Sequence, residues 1–345
     1  MIKVGVLGAT GYAGSELVRI LTNHKDVEIT LLVSHSYAGQ KMSDIYPSMK
    51  GVCDITLSEL DASVAAEKCD VVFTALPHGA SKEVIPALYE KGLVVIDLSG
   101  DYRYNDKEVY KQWYGAEHTS PELLEVSVYG MPELHREEIK KTKLIGNPGC
   151  YTTCSILGLA PLVKNKAVEL KNIIIDAKSG VTGAGRGVSL DYHFCECTEN
   201  MKAYKVATHR HTSEIEQELS LLAGEDIILS FTPHLVPLKR GILATIYANL
   251  DGSYTKEELI KMYQDFYKDE YFVRIYENGL PETNHVAGSN FVDIGLTVDK
   301  RLNRVIISSA IDNIYKGAAG QAVQNMNIIF GLDEKEAIGG AGFYL

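Results

Sequence analysis

One cysteine of the chain stands where a tight turn opens a helix. The segment 146–153 reads GNPGCYTT, with an apolar run before it and a helical pattern from Ser155 after it. The first turn of a helix presents unpaired N–H groups and the positive end of the helix dipole, which favour a thiolate, the nucleophilic form of cysteine. A free cysteine is more often a small buried apolar residue. The turn that holds the backbone of Cys150 at a helix start favours a nucleophile instead.

Two histidines, His209 and His211, are candidates for the acid/base group that such a nucleophile needs. Ser213 and Glu216 predict a capping box that opens a helix, so the histidines would lie in an extended lead-in. Residues two apart in an extended segment face the same way, so both imidazoles would point into one site. We expect His211, nearer the helix start, to be the acid/base group and His209 to orient it or contact substrate. The sequence leaves open which histidine has which role.

Three glycines near the N-terminus predict a nucleotide-binding loop. They are spaced G-x-x-G-x-x-G between a strand-like run and a helical pattern, a variant of the dinucleotide fingerprint. Glycines there let the backbone approach a pyrophosphate, which the helix N-terminus stabilises. The alternative is a tight turn used only for packing. The predicted cofactor contacts in this loop are Gly8, Thr10, Gly11, Tyr12, Ala13 and Gly14.

The end of the second predicted strand indicates which dinucleotide would bind. An NAD enzyme carries Asp or Glu there for the ribose hydroxyls, whereas this chain reads VSHS over residues 33–36. No carboxylate is present to repel a 2′-phosphate. The sequence therefore favours NADP, with Ser34 and Ser36 as cofactor contacts.

Two arginines follow predicted strands and could hold an anionic substrate group. Arg103 ends the segment DLSGDYR, at the edge of a doubly wound sheet where ligands bind. A surface ion pair with Asp101 explains Arg103 equally well. Arg186 lies in a loop with four glycines, whose backbone N–H groups could line an anion pocket.

Strands and helices alternate over the first part of the chain. Strand-like runs lie at residues 1–7, 27–33, 71–75, 94–98 and 144–145, with helical stretches such as 82–91 between them. This order predicts an α/β fold with a Rossmann-type doubly wound parallel sheet, which closes just before Cys150. Runs at 172–177, 227–231, 242–250, 291–298 and 305–311 then predict an α+β catalytic domain with a large mixed sheet.

Composition excludes several other classes of protein. Of the 345 residues, 46% are hydrophobic and 23% charged, and no apolar run approaches the roughly 18 residues of a membrane span. A net charge of −11 without a basic cluster argues against nucleic-acid binding. The cysteines form no Cys-x-x-Cys pair, so we expect no metal site. The N-terminus enters a strand directly, without the features of a signal peptide, so we expect a cytoplasmic protein.

Together these motifs resemble the N-acetyl-γ-glutamyl-phosphate reductases, the arginine-biosynthesis relatives of aspartate-semialdehyde dehydrogenase. The resemblance covers almost the whole chain, through residues 8–14, 75–79, 97–103, 129–133, 146–153, 179–186, 209–217, 231–237 and 312–327. Any one motif is weak, whereas the set is highly specific. One departure is Thr182, where the family pattern leads us to expect serine; the hydroxyl is retained.

The resemblance implies a semialdehyde dehydrogenase-like fold in two domains. Residues 1–148 would form the NADP-binding Rossmann domain. Residues 149–312 would form the catalytic domain, which would also make the contacts of a homo-oligomer, a dimer or tetramer. A C-terminal helix, 313–345, would return to pack on the first domain.

The resemblance also implies roles for individual residues. Cys150 would be the nucleophile, with Pro77 and His78 on the nicotinamide side of NADP and Asn313 near the nicotinamide. Ser99 completes the predicted cofactor contacts. The predicted substrate contacts are Arg103, Asn147, Ser179, Gly180, Arg186 and Glu214.

The implied reaction is NADPH-dependent reduction of N-acetyl-L-glutamyl 5-phosphate to N-acetyl-L-glutamate 5-semialdehyde through a Cys150 thioester. The division of phosphate and α-carboxylate between Arg103 and Arg186 stays open. One alternative is a sibling reductase of an aspartyl or N-acetylaminoadipyl type of acyl phosphate. Another is a non-catalytic NADP-sensing module, which would not need Cys150 at a helix start together with paired histidines.

Overall fold

A computed structural model of the chain describes residues 1–344, which divide into two compact units. One unit, here the nucleotide unit, comprises Met1–Pro148 and Ala318–Gly340. The other, here the cysteine unit, comprises Gly149–Gly317 and the residues after Gly340. The first boundary between the units thus falls between Pro148 and Gly149, one residue before Cys150.

The nucleotide unit contains a six-stranded parallel sheet with the strand order β2-β1-β3-β4-β6-β5. Its strands are nearly continuous apolar runs because helices cover both faces of such a sheet. In chain order they are β1 (Ile2–Leu7), β2 (Val27–Val33), β3 (Val71–Thr74), β4 (Val94–Asp97), β5 (Val128–Tyr129) and β6 (Leu144–Gly146). The predicted doubly wound parallel sheet is therefore confirmed.

Six helices of the nucleotide unit connect these strands. They are α1 (Tyr12–Leu21), α2 (Met42–Ile45), α3 (Ala62–Lys68), α4 (Ser81–Glu90), α5 (Lys107–Tyr114) and α6 (Pro132–Ile139). The first, α1, buries an apolar face that includes Leu17, Val18 and Leu21. Packing of this face holds the N-terminus of α1, and with it the glycine turn, at the carboxyl end of β1.

The cysteine unit contains a seven-stranded mixed sheet with the order β11-β12-β13-β10-β7-β9-β8. The strands are β7 (Ile174–Gly180), β8 (Lys202–Ala203), β9 (Ser230–Val236), β10 (Ile242–Asn249), β11 (Val273–Tyr276), β12 (Val292–Asp299) and β13 (Arg304–Ile311). The helices are α7 (Cys150–Lys164), α8 (Phe194–Cys197), α9 (His211–Ala223) and α10 (Lys256–Phe266). The predicted large mixed sheet is confirmed.

Helix α7 lies at the centre of the cysteine unit, and every residue from Tyr151 to Val163 is buried. A Cβ at Gly158 would lie 2.9 Å from Ile246 Cδ1, so the glycine lets α7 lie close against β10. Tyr263 and Tyr267 donate hydroxyl hydrogen bonds to the carbonyls of Gly158 and Leu157, both at 2.6 Å. These contacts hold the helix that begins at Cys150 in a fixed place.

The last helix, α11 (Gly320–Ile329), belongs to the nucleotide unit and follows a π-helical turn, Tyr315–Ala319. It is shorter than the predicted 313–345, since the chain turns at Gly331, whose φ is +66°. Gln321 and Asn325 donate to the Gly130 carbonyl at 2.6 and 2.8 Å, which ties α11 to the start of α6. No helix among residues 1–344 is long and apolar enough to cross a membrane.

One predicted strand is displaced along the chain. A strand was expected at 227–231, whereas β9 runs over Ser230–Val236. The backbone N–H of Ile227 donates to Ser220 Oγ, and that of Leu229 donates to Glu216 Oε1. Because side chains of α9 accept these two N–H groups, residues 227–229 do not pair with a neighbouring strand.

Candidate active site

Cys150 is the first residue of α7. The N-cap residue, Gly149, has no side chain that could accept a hydrogen bond from the first N–H groups of the helix. The side chain of Cys150 is partly exposed, unlike the buried side chains of Cys53, Cys69 and Cys154. Burial raises the pKa of Cys154 to about 12 and also raises the pKa values of Cys53 and Cys69. Those three thiols are held protonated, whereas Cys150 lies where a thiolate is favoured.

Glu214, on the first turn of α9, is fully buried against the Cys150 turn. Its Oε1 accepts hydrogen bonds from the Gly149 N–H at 2.8 Å and from the Thr152 hydroxyl at 2.9 Å. A carboxylate from another helix therefore takes the place of the missing N-cap. The predicted contact between Glu214 and substrate stays a prediction; its observed contacts fix the turn that carries the cysteine.

His209 and His211 lie together, with ring centroids 4.7 Å apart. The predicted reason for their proximity is wrong, because the segment is not extended: Arg210 has helical φ and ψ, and His211 already begins α9. The backbone N–H of His211 donates to His209 Nδ1 at 3.1 Å. The rings meet because the helix start bends the chain back on itself.

The predicted capping box is also wrong. Ser213 lies inside α9, and its hydroxyl donates to the Arg210 carbonyl at 3.0 Å. Glu216 Oε1 accepts from the Leu229 N–H instead of reaching back to the helix start. The two side chains thus stabilise neighbouring segments, and Glu214 makes the tertiary cap described above.

Tyr151 connects the cysteine turn to the two histidines and was not predicted as a site residue. Its ring centroid lies 5.8 Å from that of His209 and 5.9 Å from that of His211, both edge-on. Its hydroxyl donates to the His234 carbonyl at 3.0 Å, and burial raises its pKa. Its place directly after Cys150 was the available signal, but the contact with histidines far along the chain is tertiary.

The glycine-rich loop after β7 holds itself by backbone hydrogen bonds. The N–H groups of Gly180, Val181 and Thr182 donate to the carbonyls of Gly241, Leu238 and Lys239. Ser179 is buried, and its hydroxyl donates to the Gly180 carbonyl at 3.0 Å. These three amides are therefore engaged within the protein, Arg186 is exposed, and the predicted contact of Arg186 with an anion stays a prediction.

Asn313 braces the same loop within the cysteine unit. Its Oδ1 accepts from the Gly241 N–H at 2.8 Å, and its Nδ2 donates to the Thr182 hydroxyl at 3.1 Å. The hydroxyl that Thr182 shares with the expected serine therefore has a structural partner. Contact between Asn313 and a nicotinamide stays a prediction.

In the nucleotide unit, the loop between β1 and α1 requires glycine at two positions. Gly8 has a φ of +83°, and a Cβ there would lie 2.3 Å from the Ala75 carbonyl oxygen. A Cβ at Gly14 would lie 2.1 Å from the Gly8 carbonyl oxygen. Helix α1 begins after Gly11 with no side-chain cap. Its first N–H groups, including those of Tyr12 and Ala13, suit a bound anion.

The end of β2 contacts this loop directly. The hydroxyls of Thr10 and Ser34 lie 2.8 Å apart, and both side chains are buried. Tyr46 donates its hydroxyl to the Thr10 carbonyl at 2.9 Å. Ser36 is exposed. Thr10 and Ser34, two predicted cofactor residues, are thus neighbours, and no carboxylate follows β2 within residues 34–36.

Pro77 and His78 are exposed in a loop that Asp101 holds in place. Both carboxylate oxygens of the buried Asp101 accept from the Gly79 N–H at 3.0 Å, and the Tyr110 hydroxyl donates to Oδ1 at 3.1 Å. The ring of His78 contacts Tyr114 edge-on at 5.8 Å. The loop predicted for the nicotinamide side therefore has a fixed base and an exposed tip.

Ser99 and Asp97 form a buried pair. The Ser99 hydroxyl donates to Asp97 Oδ2 at 2.8 Å, and Thr74 donates to Oδ1 at 2.7 Å. Burial raises the pKa of Asp97. Ser99 is thus engaged within the sheet edge, and its contact with cofactor stays a prediction.

Arg103 and Asn147 are both buried in the nucleotide unit. Arg103 Nη2 donates to the Leu98 carbonyl at 3.0 Å. Asn147 donates to the Ala318 carbonyl at 3.2 Å and accepts from Asn325 Nδ2 at 3.1 Å. Their predicted contacts with substrate stay predictions.

The described residues, 1–344, contain no group of three or more His, Cys, Asp or Glu side chains arranged to hold a metal ion.

Two family models match most of the chain. The model described as semialdehyde dehydrogenase, NAD binding domain, matches residues 3–142. The model described as semialdehyde dehydrogenase, dimerisation domain, matches residues 150–313. Together with the two sheets, they define an oxidoreductase of the semialdehyde dehydrogenase class.

Curated relatives show which family within this class the chain belongs to. A protein of Acetivibrio thermocellus named N-acetyl-gamma-glutamyl-phosphate reductase is 65% identical over 346 residues and covers 100% of both chains. Proteins of the same name from Desulforamulus reducens and Caldicellulosiruptor saccharolyticus are 56% and 55% identical, again over 100% of both chains. The chain belongs to the N-acetyl-gamma-glutamyl-phosphate reductase family, as its motifs predicted.

Solved structures support the fold. The aspartate semialdehyde dehydrogenase II of Vibrio cholerae has a TM-score of 0.73 at 17% identity and covers 96% of this chain and 99% of its own. The aspartate semialdehyde dehydrogenase of Candida albicans, solved with NADP, has a TM-score of 0.72 at 18% identity, with coverages of 96% and 98%. The predicted semialdehyde dehydrogenase-like fold is therefore confirmed.

Proposed function

We propose that this chain catalyses the reversible, NADPH-dependent reductive dephosphorylation of N-acetyl-L-glutamyl 5-phosphate to N-acetyl-L-glutamate 5-semialdehyde. The observation that carries this proposal is Cys150, partly exposed at the start of α7. The curated relatives at 55–65% identity over the full chain have the name of this activity. A nucleophilic cysteine at a helix start is the group that an acyl phosphate requires.

Cys150 acts first. Its thiolate attacks the acyl phosphate carbonyl, and the C–O bond to phosphate breaks to leave a thioester and inorganic phosphate. The oxyanion formed in this step needs N–H donors at the helix start. Because the Gly149 N–H is donated to Glu214, we propose other N–H groups of the first turn of α7 as these donors.

His211 handles the proton in the second half of the reaction. When bound, NADPH would supply the hydride that reduces the thioester carbon. His211 donates a proton to the oxygen of the resulting thiohemiacetal and removes it again as the C–S bond breaks. The aldehyde then leaves, and Cys150 is again a thiolate.

The residues of the nucleotide unit fit an NADP molecule. The loop after β1 has no room for a Cβ at Gly8 or Gly14, and α1 begins without a side-chain cap. Such a loop lets the pyrophosphate approach the backbone at a helix N-terminus. Ser34 and Ser36, where a carboxylate would repel a 2′-phosphate, favour NADP over NAD.

Arg103 and Arg186 are the proposed partners of the phosphate and the α-carboxylate of the substrate. Guanidinium groups bind either anion by paired hydrogen bonds. Ser179, Gly180, Asn147 and Glu214 are the other proposed substrate contacts. We also place the reaction in the cytoplasm, where free thiols stay reduced.

We further propose that the protein works as a homo-oligomer. The cysteine unit matches a family model described as a dimerisation domain. Within it, one segment between Arg186 and His209 exposes several large apolar side chains, each more than half exposed: Val188, Leu190, Phe194, Met201 and Val206. A second copy of the chain would cover this surface, here called the apolar segment.

A spectrophotometric assay tests the reaction. We expect phosphate-dependent reduction of NADP with N-acetyl-L-glutamate 5-semialdehyde and little with aspartate semialdehyde. Cys150→Ser should abolish turnover while the affinity for NADP stays nearly unchanged, since the hydroxyl cannot form the acyl intermediate. Faster turnover of aspartate semialdehyde would refute the substrate assignment, and an active Cys150→Ser variant would refute the nucleophile.

A further inference from the structure

The π-helical turn Tyr315–Ala319 brings a glycine against the nucleophile. A Cβ built on Gly317 would lie 2.7 Å from Cys150 Cβ and 3.1 Å from Cys150 Cα. The first distance is shorter than contacts that real Cβ atoms make. Gly317 is buried, and its φ lies outside the left-handed region. The position therefore needs glycine for space and not for backbone conformation.

The turn is anchored by Asp312, which is fully buried. Asp312 Oδ1 accepts from the N–H groups of Ile314 and Tyr315 at 2.8 and 3.0 Å, and Oδ2 accepts from the Gly288 N–H at 2.7 Å. Its backbone carbonyl accepts from the Gly317 N–H at 3.0 Å, the i to i−5 bond of a π-turn. Gly317 thus has a fixed position.

The Cys150 turn is held from two directions. Glu214 accepts the Gly149 N–H on one side, and on the other side the Cα and Cβ atoms of Cys150 fill the space that a Cβ of residue 317 would need. A thiolate that must attack a carbonyl carbon needs its sulfur within a few tenths of an ångström of the correct line. A side chain at residue 317 would displace Cα and Cβ of Cys150 and with them the sulfur.

We propose that Gly317 is a positioning residue for the Cys150 thiolate, because the absence of a side chain at residue 317 leaves the Cα and Cβ atoms of Cys150 in the place that α7 gives them. This inference rests on the proposed role of Cys150. Gly317 holds no substrate, so its effect is on the rate of acylation and hydride transfer, and the affinity for NADP is unaffected.

The first test is Gly317→Ala, with Gly340→Ala as the matched control. Gly340 has nothing within 4 Å of its ideal Cβ and no left-handed φ, so the same added methyl group meets open space. We expect Gly317→Ala to lower kcat by about 10- to 100-fold, the cost of misplacing a reacting group by up to 1 Å, with KM changed less than about threefold. Gly340→Ala should match the parent.

Stoichiometric alkylation of Cys150 by iodoacetamide, followed by mass spectrometry, separates positioning from unfolding. A positioning role predicts that the full amount of Cys150 is still alkylated, with an unchanged pH profile, while kcat falls. Loss of alkylatable thiol in proportion to kcat would overturn the proposal, as would a kcat within twofold of the parent. Alkylation does not depend on the substrate, so failure of the proposed reaction would be seen separately with Cys150→Ser.

A double-mutant cycle on melting temperature covers the case in which Gly317→Ala folds poorly. Cys150→Gly removes the Cβ that the new methyl group would meet. We expect Gly317→Ala to lower the melting temperature of the parent and to lower that of Cys150→Gly substantially less. Equal losses in the two backgrounds would show that the contact does not restrict residue 317, which contradicts the proposal.

Discussion

The two histidines have different backbone positions although their rings touch. His211 is the first residue of α9, where the helix fixes its backbone. His209 accepts the His211 N–H on Nδ1, so its neutral ring has its proton on Nε2. This arrangement supports our proposal that His211 transfers the proton and His209 orients it.

Replacing each histidine by asparagine tests that division. We expect His211→Asn to lower kcat by roughly 10²–10⁴-fold, the usual effect of losing a general acid/base, and His209→Asn to act mainly on KM. Steady-state kinetics of the two variants, measured side by side, provide matched controls. A large loss of kcat at His209 with only a KM change at His211 would reverse the assignment and leave the reaction class intact.

Tertiary contacts also explain which roles near Cys150 the sequence did not predict: Tyr151 and Gly317 were not named, and Glu214 was named only as a substrate contact. The residue types of the GNPGCYTT segment pointed to a helix start, and α7 does begin at Cys150. Tyr151, Glu214 and Gly317 take part because α9 and the π-helical turn pack on that start. The local sequence around these three residues does not predict their tertiary contacts.

At the level of elements, the loop after β1 and the end of β2 act together. The hydroxyls of Thr10 and Ser34 meet at 2.8 Å, so the residue after β2 is fixed to the nucleotide loop. Thr10 could donate equally well to a carboxylate at position 34. A negative charge placed there would therefore stay at the end of β2.

Ser34→Asp should shift the preference of the enzyme from NADP toward NAD. A carboxylate at position 34 would accept from the ribose hydroxyls of NAD and repel the 2′-phosphate of NADP. We expect the ratio of kcat/KM for NADP to that for NAD to fall by about tenfold or more, since like charges in contact cost several kcal/mol. Ser34→Asn, nearly the same size but uncharged, should keep the preference for NADP. The idea fails if the parent already uses NAD as efficiently.

On the scale of the whole molecule, the apolar segment predicts self-association. Phe194 is 74% and Val188 106% exposed, values that favour burial against another chain. Sedimentation velocity should show a dimer or larger species, and Phe194→Asp should raise the fraction of smaller species. A control at Leu302→Asp, an exposed leucine between β12 and β13 that lies outside the apolar segment, should leave the assembly unchanged. A monomeric parent would contradict the proposal.

The sequence by itself predicted the features that depend on neighbouring residues. Alternation of strands and helices predicted the parallel sheet, and the glycine spacing predicted the loop between β1 and α1, where the structure leaves no room for a Cβ at Gly8 and Gly14. The motif set predicted the family. The sheet and the glycine loop follow from backbone sterics and hydrophobic periodicity, which are properties of contiguous residues, whereas the family followed from the resemblance of the motifs.

Tertiary structure decided the contacts between segments far apart in the chain. It placed Glu214 on the Gly149 N–H, brought Gly317 against Cys150, and moved β9 to Ser230–Val236 because α9 side chains took the preceding N–H groups. It also gave the two histidines a helical start where an extended lead-in was expected. Such outcomes depend on which polar groups meet when whole elements pack, since each buried donor must find an acceptor wherever the fold provides one.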